Sequence, residues 1–372
     1  MSLAEEIREY ALDIGFDRVG FASAEPFPQL AAALEERAED YAWISRGLLQ
    51  LNKAVDPRSI LPSARSLIVL IWDYHKQSFP QELTGKIGRA YLARLFLPKD
   101  RIFGARLKLF RDFLKQRGIA LGTRPALPDR QAAARAGLGT FGRNTFIYVP
   151  GMGSFAAIVT MAVDVDLGGE SREAISRCPD DCGACIRACP TGALYEPFRM
   201  NPRRCIAFNT YAPGNWTLVP EDIPREIREK MGSWIYGCDL CQEACPRNRK
   251  KLQEKLPPDA YLLEKAKTIT LTNLLNMDEQ FYLTQVQPFL YGYIWHKKFL
   301  QRNAAIALGN SGDDAAVPHL ARALEDPEEM VRAYAAWALG RIGGAAARAA
   351  LESRRGREDS AKVLEEIEIA LT

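Results

Sequence analysis

The chain has 372 residues, more than a single ordinary hydrophobic core serves, and this length predicts two or three domains. With 47% hydrophobic and 26% charged residues, the composition is typical of a folded globular protein and excludes a disordered or fibrous one. The formal net charge of +3 permits a basic patch for nucleic acid but does not require one. No apolar run approaches the ~20 residues that span a bilayer and the start reads as an amphipathic helix, so we expect a cytoplasmic protein with no membrane contact.

Residues 1–170 have the pattern of a mixed α/β domain. Apolar, β-branched runs predict strands at 18–22, 66–72 and 156–165. Between them, residues 105–117 place apolar side chains on one face and basic side chains on the other, which predicts a packed amphipathic helix. The overall expectation is an α+β protein whose first domain is this α/β unit.

Glycine is frequent from residue 137 to 153, in the stretches AGLGTFGRN and PGMG. Such a cluster occurs where the backbone turns tightly or where it approaches a ligand closely. The sequence alone leaves both interpretations open.

All eight cysteines lie between residues 178 and 245. Disulfides rarely persist in a reducing cytoplasm, so cysteines crowded into one segment predict metal ligands. Two runs, CPDDCGACIRACP and CDLCQEACP, each end in Cys-Pro after a Cys-x-x-Cys pair, which is the bacterial ferredoxin arrangement. In two-cluster ferredoxins the last cysteine of each run binds the other cluster. We therefore assign Cys178, Cys182, Cys185 and Cys245 to one 4Fe-4S cluster, and Cys189, Cys205, Cys238 and Cys241 to a second.

Two structural zinc sites are the alternative, since four thiolates also suit zinc. Zinc does not account for the paired Cys-Pro endings. Two adjacent clusters would form an electron relay, and the glycine-rich domain is the expected place for the acceptor.

A proline pair at 257 and 258 suggests a boundary, after which a segment beginning at Arg302 is echoed by one beginning at Arg332. Alanine-rich helix pairs repeating at an interval of 30 to 31 residues predict stacked HEAT-like units. Such a module either binds a partner or supports the core, and the pattern is compatible with both.

Together these segments resemble the epoxyqueuosine reductase family, cobalamin-dependent iron-sulfur enzymes that complete the tRNA base queuosine. The resemblance extends over nearly the whole chain. The matching stretches are LPSARSLIVLIWDY (61–74), RAGLGTFGRN (135–144), GSF (153–155), RRCIAFNT (203–210), YGCDLCQEACPRN (236–248) and QRNAAIALGN (301–310).

The resemblance implies a cobalamin-binding domain at 1–170, a ferredoxin-like domain with two clusters at 171–256 and a tRNA-gripping HEAT-like domain at 257–372. It also implies cobalamin with no protein histidine beneath the cobalt, an external electron donor such as a flavodoxin or ferredoxin, and a monomer. His75 begins a histidine-ligand pattern for cobalamin that Ser78 breaks, because glycine should stand there.

By family position, the expected corrin contacts are Gly139, Gly142, Arg143, Asn144, Gly153 and Ser154. Arg143 could equally meet a surface carboxylate. The expected contacts to tRNA are the basic residues near the starts of the repeat helices, namely Lys297, Lys298, Arg302, Arg322 and Arg332, together with the run 247–251. A solvated basic face is the alternative for each of them.

The chain departs from the family pattern at the proton donor, where Thr123 takes the place of the family's aspartate. Asp129 is the nearest carboxylate and is expected either to donate the proton or to cap the following helix. A second departure falls at 100–102, and a third is the wider spacing between Cys178 and Cys182. Two other functions therefore stay open: a diverged paralogue with another substrate, and an electron-transfer protein with a docking repeat.

Overall fold

The three predicted strands pair into one antiparallel sheet. The structure is a computed structural model that describes residues 1–42, 50–92, 102–123, 127–169, 175–211, 221–290 and 296–372. The sheet has the order β1-β2-β6-β3, and β2 forms the longest ladder with β6. Its strands are β1 (Arg18–Ser23), β2 (Ser66–Asp73), β3 (Leu121–Gly122) and β6 (Ala156–Val163), while β4 (Thr140–Phe141) and β5 (Ile147–Tyr148) form a separate hairpin.

Helices cover both faces of this sheet because its alternate side chains are apolar on either side. Helices α1 (Leu3–Asp13) and α5 (Ile102–Gln116) cover one face, where Phe110 and Leu114 are buried as predicted. Helix α6 (Asp129–Arg135) covers the other face. The remaining N-terminal helices are α2 (Pro28–Glu36), α3 (Leu51–Ala54) and α4 (Arg89–Leu92), with 3₁₀ turns at Pro57–Ser59 and Gln81–Leu83.

The cysteine-rich segment consists of short helices and one hairpin, as its loop-rich sequence predicted. The hairpin pairs β7 (Leu194–Glu196) with β8 (Arg199–Met200). The helices are α7 (Ala184–Arg187), α8 (Ile206–Asn209), α9 (Arg225–Arg228), α10 (Leu240–Glu243) and α11 (Arg249–Leu252), with 3₁₀ turns at Pro202–Arg204 and Pro246–Asn248.

The C-terminal part is a stack of helices, which confirms the predicted repeat. Gly309 and Gly340 occupy matching positions, and a Cβ on either would lie 2.8 Å from the Cα of Ala338 or Ala370. Glycine therefore lets successive helices pack closely. The helices are α12 (Ala260–Thr268), α13 (Leu271–Leu275), α14 (Glu279–Phe281), α15 (Lys297–Ser311), α16 (Val317–Ala323), α17 (Glu329–Ile342), α18 (Gly344–Arg355) and α19 (Ala361–Leu371), with a π-helix at Tyr282–Val286 and a 3₁₀ turn at Asp314–Ala316.

One hydrophobic core fills the repeat stack and continues into Ile206 and residues 223–236 of the cysteine-rich segment. The two parts consequently share buried side chains instead of meeting only at a polar surface. Within the described ranges, no helix is both long enough and apolar enough to cross a membrane.

Candidate functional site

Four cysteine sulfurs, those of Cys185, Cys205, Cys238 and Cys241, have neighbours that include their partners in the two predicted groups, and the crossover itself stays a prediction. Cys185 is buried, which raises the pKa of its thiol, and the nearby Cys245 and Cys178 raise this pKa further. Cys245 therefore lies with the first run of cysteines although it closes the second. In this first group, Cys178 and Cys182 keep part of their surface exposed.

The second predicted group consists of Cys189, Cys205, Cys238 and Cys241. Burial raises the pKa of the Cys205, Cys238 and Cys241 thiols. Cys189 is an electrostatic neighbour of both Cys205 and Cys241, and Cys205 is a neighbour of Cys238. Cys185 also acts on Cys241, so the two groups adjoin each other as a relay requires.

The glycine-rich loop binds the cysteine-rich segment through its polar side chains. The Asn144 side-chain amide donates to the Cys241 carbonyl oxygen at 3.1 Å. Arg143 donates to the Cys182 carbonyl oxygen at 3.0 Å. Arg143 thus reaches the first cysteine group, and Asn144 reaches the second. The predicted contacts of both residues to a corrin stay predictions.

A buried polar network continues this interface. Ser154 donates from its hydroxyl to Gln242 at 2.9 Å, and its backbone N–H donates to the Asn248 side chain at 2.9 Å. Asn248 in turn donates to Ser154 and to the Gln242 carbonyl oxygen. These groups satisfy one another, as buried polar groups must, and they fix the loop against α10.

The loop glycines are needed for close packing within the protein. A Cβ on Gly139 would lie 2.5 Å from Ile147, and one on Gly142 would lie 2.4 Å from the Tyr148 ring. Gly153 has a left-handed φ of +61°, and a Cβ there would lie 2.1 Å from the Asn248 side chain. These contacts explain the glycines without a ligand, so their predicted corrin contact also stays a prediction.

The guanidinium of exposed Arg130 donates to the Thr145 carbonyl oxygen at 3.2 Å and lies within electrostatic reach of four polar groups, three of them from distant parts of the chain. It acts electrostatically on Tyr41, Tyr74, Asp129 and Cys205. Tyr74, Asp129 and Cys205 are surrounded by protein, which raises the pKa of each, yet each side chain keeps some accessible surface. We call the region around these five side chains the Arg130 chamber; sequence reasoning missed Arg130, Tyr41 and Tyr74.

Asp129 has the electrostatic properties of a proton donor. Burial raises the pKa of its carboxyl to about 7, although Thr160 and Arg130 act in the opposite direction. Its expected alternative role as a helix cap is wrong, because Pro128 occupies the N-cap position and Asp129 is the first helical residue. The carboxyl therefore keeps its proton to a higher pH than an ordinary aspartate does.

Thr123 follows β3 and is half-buried. Its neighbours 124–126 and the predicted departure at 100 and 101 lie outside the described residues. The structure gives Thr123 no acidic character, whereas Asp129 has it.

A cleft of 310 Å³ continues from Tyr74 along the end of β2. Trp72, Phe79, Arg89 and Arg106 line it, and the Arg106 guanidinium stacks 4.6 Å from the Trp72 ring. Aromatic faces and guanidinium groups suit a planar polar molecule. His75 also lines the cleft, but its ring stacks on Phe155 at 4.8 Å, which agrees with its prediction as an ordinary polar residue.

Three of the predicted tRNA contacts keep accessible surface. Arg322 is exposed, while Lys297 and Lys298 are half-buried at the start of α15. In the run 247–251, Arg249 and Lys250 are exposed.

The prediction that Arg302 and Arg332 contact tRNA is wrong. Arg302 is 0% exposed, and its guanidinium donates to the carbonyl oxygens of Asn209 and Glu221. Arg332 is buried in an ion pair with Glu358 at 2.8 Å. Both guanidiniums are hydrogen-bonded inside the protein, so neither can contact a phosphate.

Two protein families match parts of the chain. The family described as a 4Fe-4S double cluster binding domain matches residues 177–248, and the HEAT repeat family matches residues 298–372. The first match covers all eight cysteines, so iron-sulfur clusters and not zinc are the cofactors of this segment. The residue-by-residue assignment of the eight sulfurs stays a prediction.

Similarity to known proteins extends over the full length. The epoxyqueuosine reductase of Bacillus subtilis is 33% identical, with 98% of this chain and 94% of that protein covered. A structure of the B. subtilis enzyme, with its catalytic aspartate loop swung out of the active site, is similar with a TM-score of 0.80, 31% identity and coverage of 99% and 98%. The crystal structure of an epoxyqueuosine reductase with an epoxyqueuosine-modified tRNA-Tyr stem loop has the same values.

Proposed function

Because this chain belongs to the epoxyqueuosine reductase family, we propose that it removes the epoxide oxygen of epoxyqueuosine in tRNA and so forms queuosine. The observation that carries the proposal is the Arg130 chamber, where a carboxyl of raised pKa and the thiol of Cys205 both lie within electrostatic reach of one guanidinium. A reductive deoxygenation needs both a proton source and an electron source at one place. The family depends on cobalamin and two 4Fe-4S clusters.

The reaction consumes two electrons and two protons, because the epoxide becomes a carbon-carbon double bond and its oxygen leaves as water. Cobalamin, when bound, supplies the strongly reducing cobalt chemistry that breaks the carbon-oxygen bonds. The residues of the chamber fit such a group, since they offer polar side chains that keep some accessible surface. Cys205 and its partners in the second group would hold the cluster nearest the chamber.

The chain's own contribution is to supply protons and to exclude water. Asp129, whose raised pKa keeps its proton to a higher pH, would donate a proton to the departing oxygen. Arg130 would stabilise the carboxylate left behind, because its guanidinium already favours that form. The Thr123 hydroxyl, at the position of the family's aspartate, is too weak an acid for this step.

The HEAT-like helices would bind the anticodon stem-loop of the tRNA. Arg322, Lys297 and Lys298 near the starts of the repeat helices and the exposed Arg249 and Lys250 are the proposed phosphate contacts. Each phosphate neutralised would make the affinity fall with salt. We further propose that the protein works as a cytoplasmic monomer, in the compartment where a flavodoxin or ferredoxin can supply electrons.

One observation favours a second candidate, a paralogue that uses the same cofactors on another substrate. Thr123 stands where the family has an aspartate, and the carboxyl of Asp129 comes from the following helix, six residues further along the chain. A displaced proton donor would suit a differently placed leaving oxygen. An electron-transfer protein remains a third candidate, but it would leave the Arg130 chamber without a role.

Turnover of a defined substrate tests the proposal. The protein is purified anaerobically with cobalamin and incubated with reductant and an epoxyqueuosine-modified stem loop, and the RNA is analysed by mass spectrometry. We expect the base to lose one oxygen atom, and the Asp129→Asn variant to lose most of this activity. Full iron and cobalt loading with an unchanged RNA would reject the proposal and favour the paralogue.

A further inference from the structure

Three large apolar side chains are exposed beside the first cysteine group. Ile175, Tyr195 and Phe198 are 51%, 45% and 40% exposed, and we call them the Phe198 patch. We propose that the Phe198 patch is the docking surface for a small acidic one-electron carrier protein that supplies this chain. The position of the patch, the hydrogen bonds of its backbone and the charge around it support this assignment.

The backbone of the patch is held on either side of one short segment of the glycine-rich loop. The Phe141 N–H donates to the Ile175 carbonyl oxygen at 2.9 Å, and the Phe198 N–H donates to the Arg143 carbonyl oxygen at 2.8 Å. Ile175 and Phe198 therefore flank residues 141–143, and Tyr195 belongs to the same hairpin as Phe198.

The patch adjoins the first cysteine group. Arg143, which holds Phe198, also donates to the Cys182 carbonyl oxygen, and the Cys178 N–H donates to Ser176 next to Ile175. The second group includes Cys205, on which Arg130 acts electrostatically. An electron entering at the patch would pass through the first group and then the second, in the direction of the chamber.

Phe198 has a conformation that its own side chain does not favour. Its φ is +64°, which is a genuine outlier for a bulky residue that is not glycine. The hydrogen bond to Arg143 holds this conformation, and it leaves the aromatic ring exposed. Strained residues of this kind cluster at sites of binding.

The charge around the patch favours an acidic partner. Among residues 175–205, five arginines outnumber the three carboxylates Asp180, Asp181 and Glu196. Arg199 is paired with Glu36 and Glu196, which leaves Arg177, Arg187, Arg203 and Arg204 as exposed arginines outside those pairs. An apolar centre within a rim of arginines is typical of a protein interface, and complementary charge speeds the encounter. RNA would also be attracted by the arginines, but it gains little from an aliphatic side chain such as Ile175.

The inference rests on the outside electron supply in the proposed function and not on its substrate, so the test omits tRNA. The cluster-loaded protein is mixed anaerobically in a stopped-flow instrument with reduced flavodoxin, reduced ferredoxin or dithionite. Each transfer oxidises the carrier by one electron and reduces one cluster by one, so carrier oxidation and cluster bleaching must agree. The variant is Ile175→Ser with Phe198→Asn, because asparagine tolerates a positive φ. The matched control is Leu263→Ser with Ile369→Ser, which removes equally exposed apolar groups elsewhere.

We expect the variant to be reduced about tenfold more slowly by the better of the two carriers, the loss typical of a removed interface anchor. Reduction by dithionite should be unchanged, and so should stem-loop affinity. Arg177→Glu with Arg203→Glu should slow the carrier and flatten its salt dependence, whereas Arg341→Glu should not.

Three results would overturn the inference: no carrier reduces the parent protein, the variant keeps the parent rate, or dithionite slows equally. Weaker stem-loop binding at an unchanged carrier rate would instead make the patch an RNA surface. A parent protein that the carrier reduces but that leaves epoxyqueuosine unchanged would defeat only the proposed function.

Discussion

The Asn144 side-chain amide donates to the Tyr148 hydroxyl oxygen at 3.0 Å. Because that oxygen accepts from Asn144, the phenol proton is directed to a different partner, and the Cys245 sulfur is that partner. Burial and the bond to Cys245 both raise the pKa of Tyr148. A residue of the N-terminal domain thus donates a hydrogen bond to a predicted cluster ligand.

Replacing Tyr148 with Phe should make the potential of the first cluster more negative. Hydrogen bonds to cluster sulfur favour the reduced form, which carries more negative charge. If the bond strengthens by about 1 kcal/mol on reduction, its loss corresponds to roughly 40 mV for one electron. Redox titration followed by electron paramagnetic resonance measures this shift. Tyr195→Phe, with an exposed hydroxyl on the nearby hairpin, is the control, and equal potentials in the parent and Tyr148→Phe would contradict the assignment.

The crossover of cysteines makes two double variants differ in iron content. With Cys178 and Cys245 on one cluster, Cys178→Ser with Cys245→Ser should remove that cluster and leave about four irons per chain. Cys178→Ser with Cys189→Ser should damage both clusters and leave fewer. Iron and sulfide analysis after anaerobic reconstitution distinguishes them, and the reverse order would show that each run holds its own cluster.

Asp129 should make the reaction rate fall as the pH rises through about 7. Its pKa is raised to about 7, so the proton it donates is lost as the pH rises through that value. Single-turnover rates at saturating reductant should fall above pH 7 in the parent protein, and Asp129→Asn should be slow at every pH. Glu365→Gln, an exposed carboxyl in α19, is the control. A basic limb that survives in Asp129→Asn would assign the proton to another group.

The Asp129 carboxyl should also make stability depend on pH, in the direction opposite to that of a salt-bridged acid. The folded pKa lies above the ordinary value of about 3.9, so between pH 4 and 7 the folded protein holds a proton that the unfolded chain has lost. Stability should therefore fall as the pH rises across this window. Asp129→Asn should reduce that slope in denaturant titrations.

Local spacing allowed the cysteine sites and the repeat helices to be predicted, because both depend on residues close in sequence. The Cys-Pro endings and the matching Gly309 and Gly340 report chain turns and close helix contacts directly. The Arg130 chamber could not be predicted in this way. Tyr74, Arg130 and Cys205 are brought together only by the packing of β2, α6 and the cysteine-rich segment.

The tRNA contacts show a second limit of prediction from the sequence. Arg302 and Arg332 belong to the predicted set because they lie near the starts of the repeat helices. They also recur at the same repeat position, and such recurrence marks a shared structural role as well as a shared surface. Both side chains point inward, where each hydrogen-bonds backbone carbonyl oxygens. Arg322 has no counterpart in the alignment of the two repeats. That its side chain is exposed could be seen only in the structure.

Arg302 should be essential for stability and for holding the second cluster. Burial lowers the pKa of Arg302 to about 10, and its guanidinium hydrogen-bonds the Asn209 carbonyl oxygen at 2.9 Å. Asn209 in turn donates to the carbonyl oxygen of Cys205 at 2.9 Å. Arg302→Met keeps most of the side-chain volume but leaves these carbonyl oxygens unpaired, which should cost about 3 kcal/mol in the free energy of unfolding.

Denaturant unfolding and the rate of iron release to a chelator measure the two effects together. We expect Arg302→Met to lower the unfolding free energy and to release iron faster, while Arg322→Met should change stability by less than about 0.5 kcal/mol. Because Arg322 is exposed, its replacement should weaken stem-loop binding instead and reduce the salt dependence of that binding. If Arg302→Met lost stem-loop affinity with its stability and iron intact, the buried hydrogen bonds would not be what this arginine contributes.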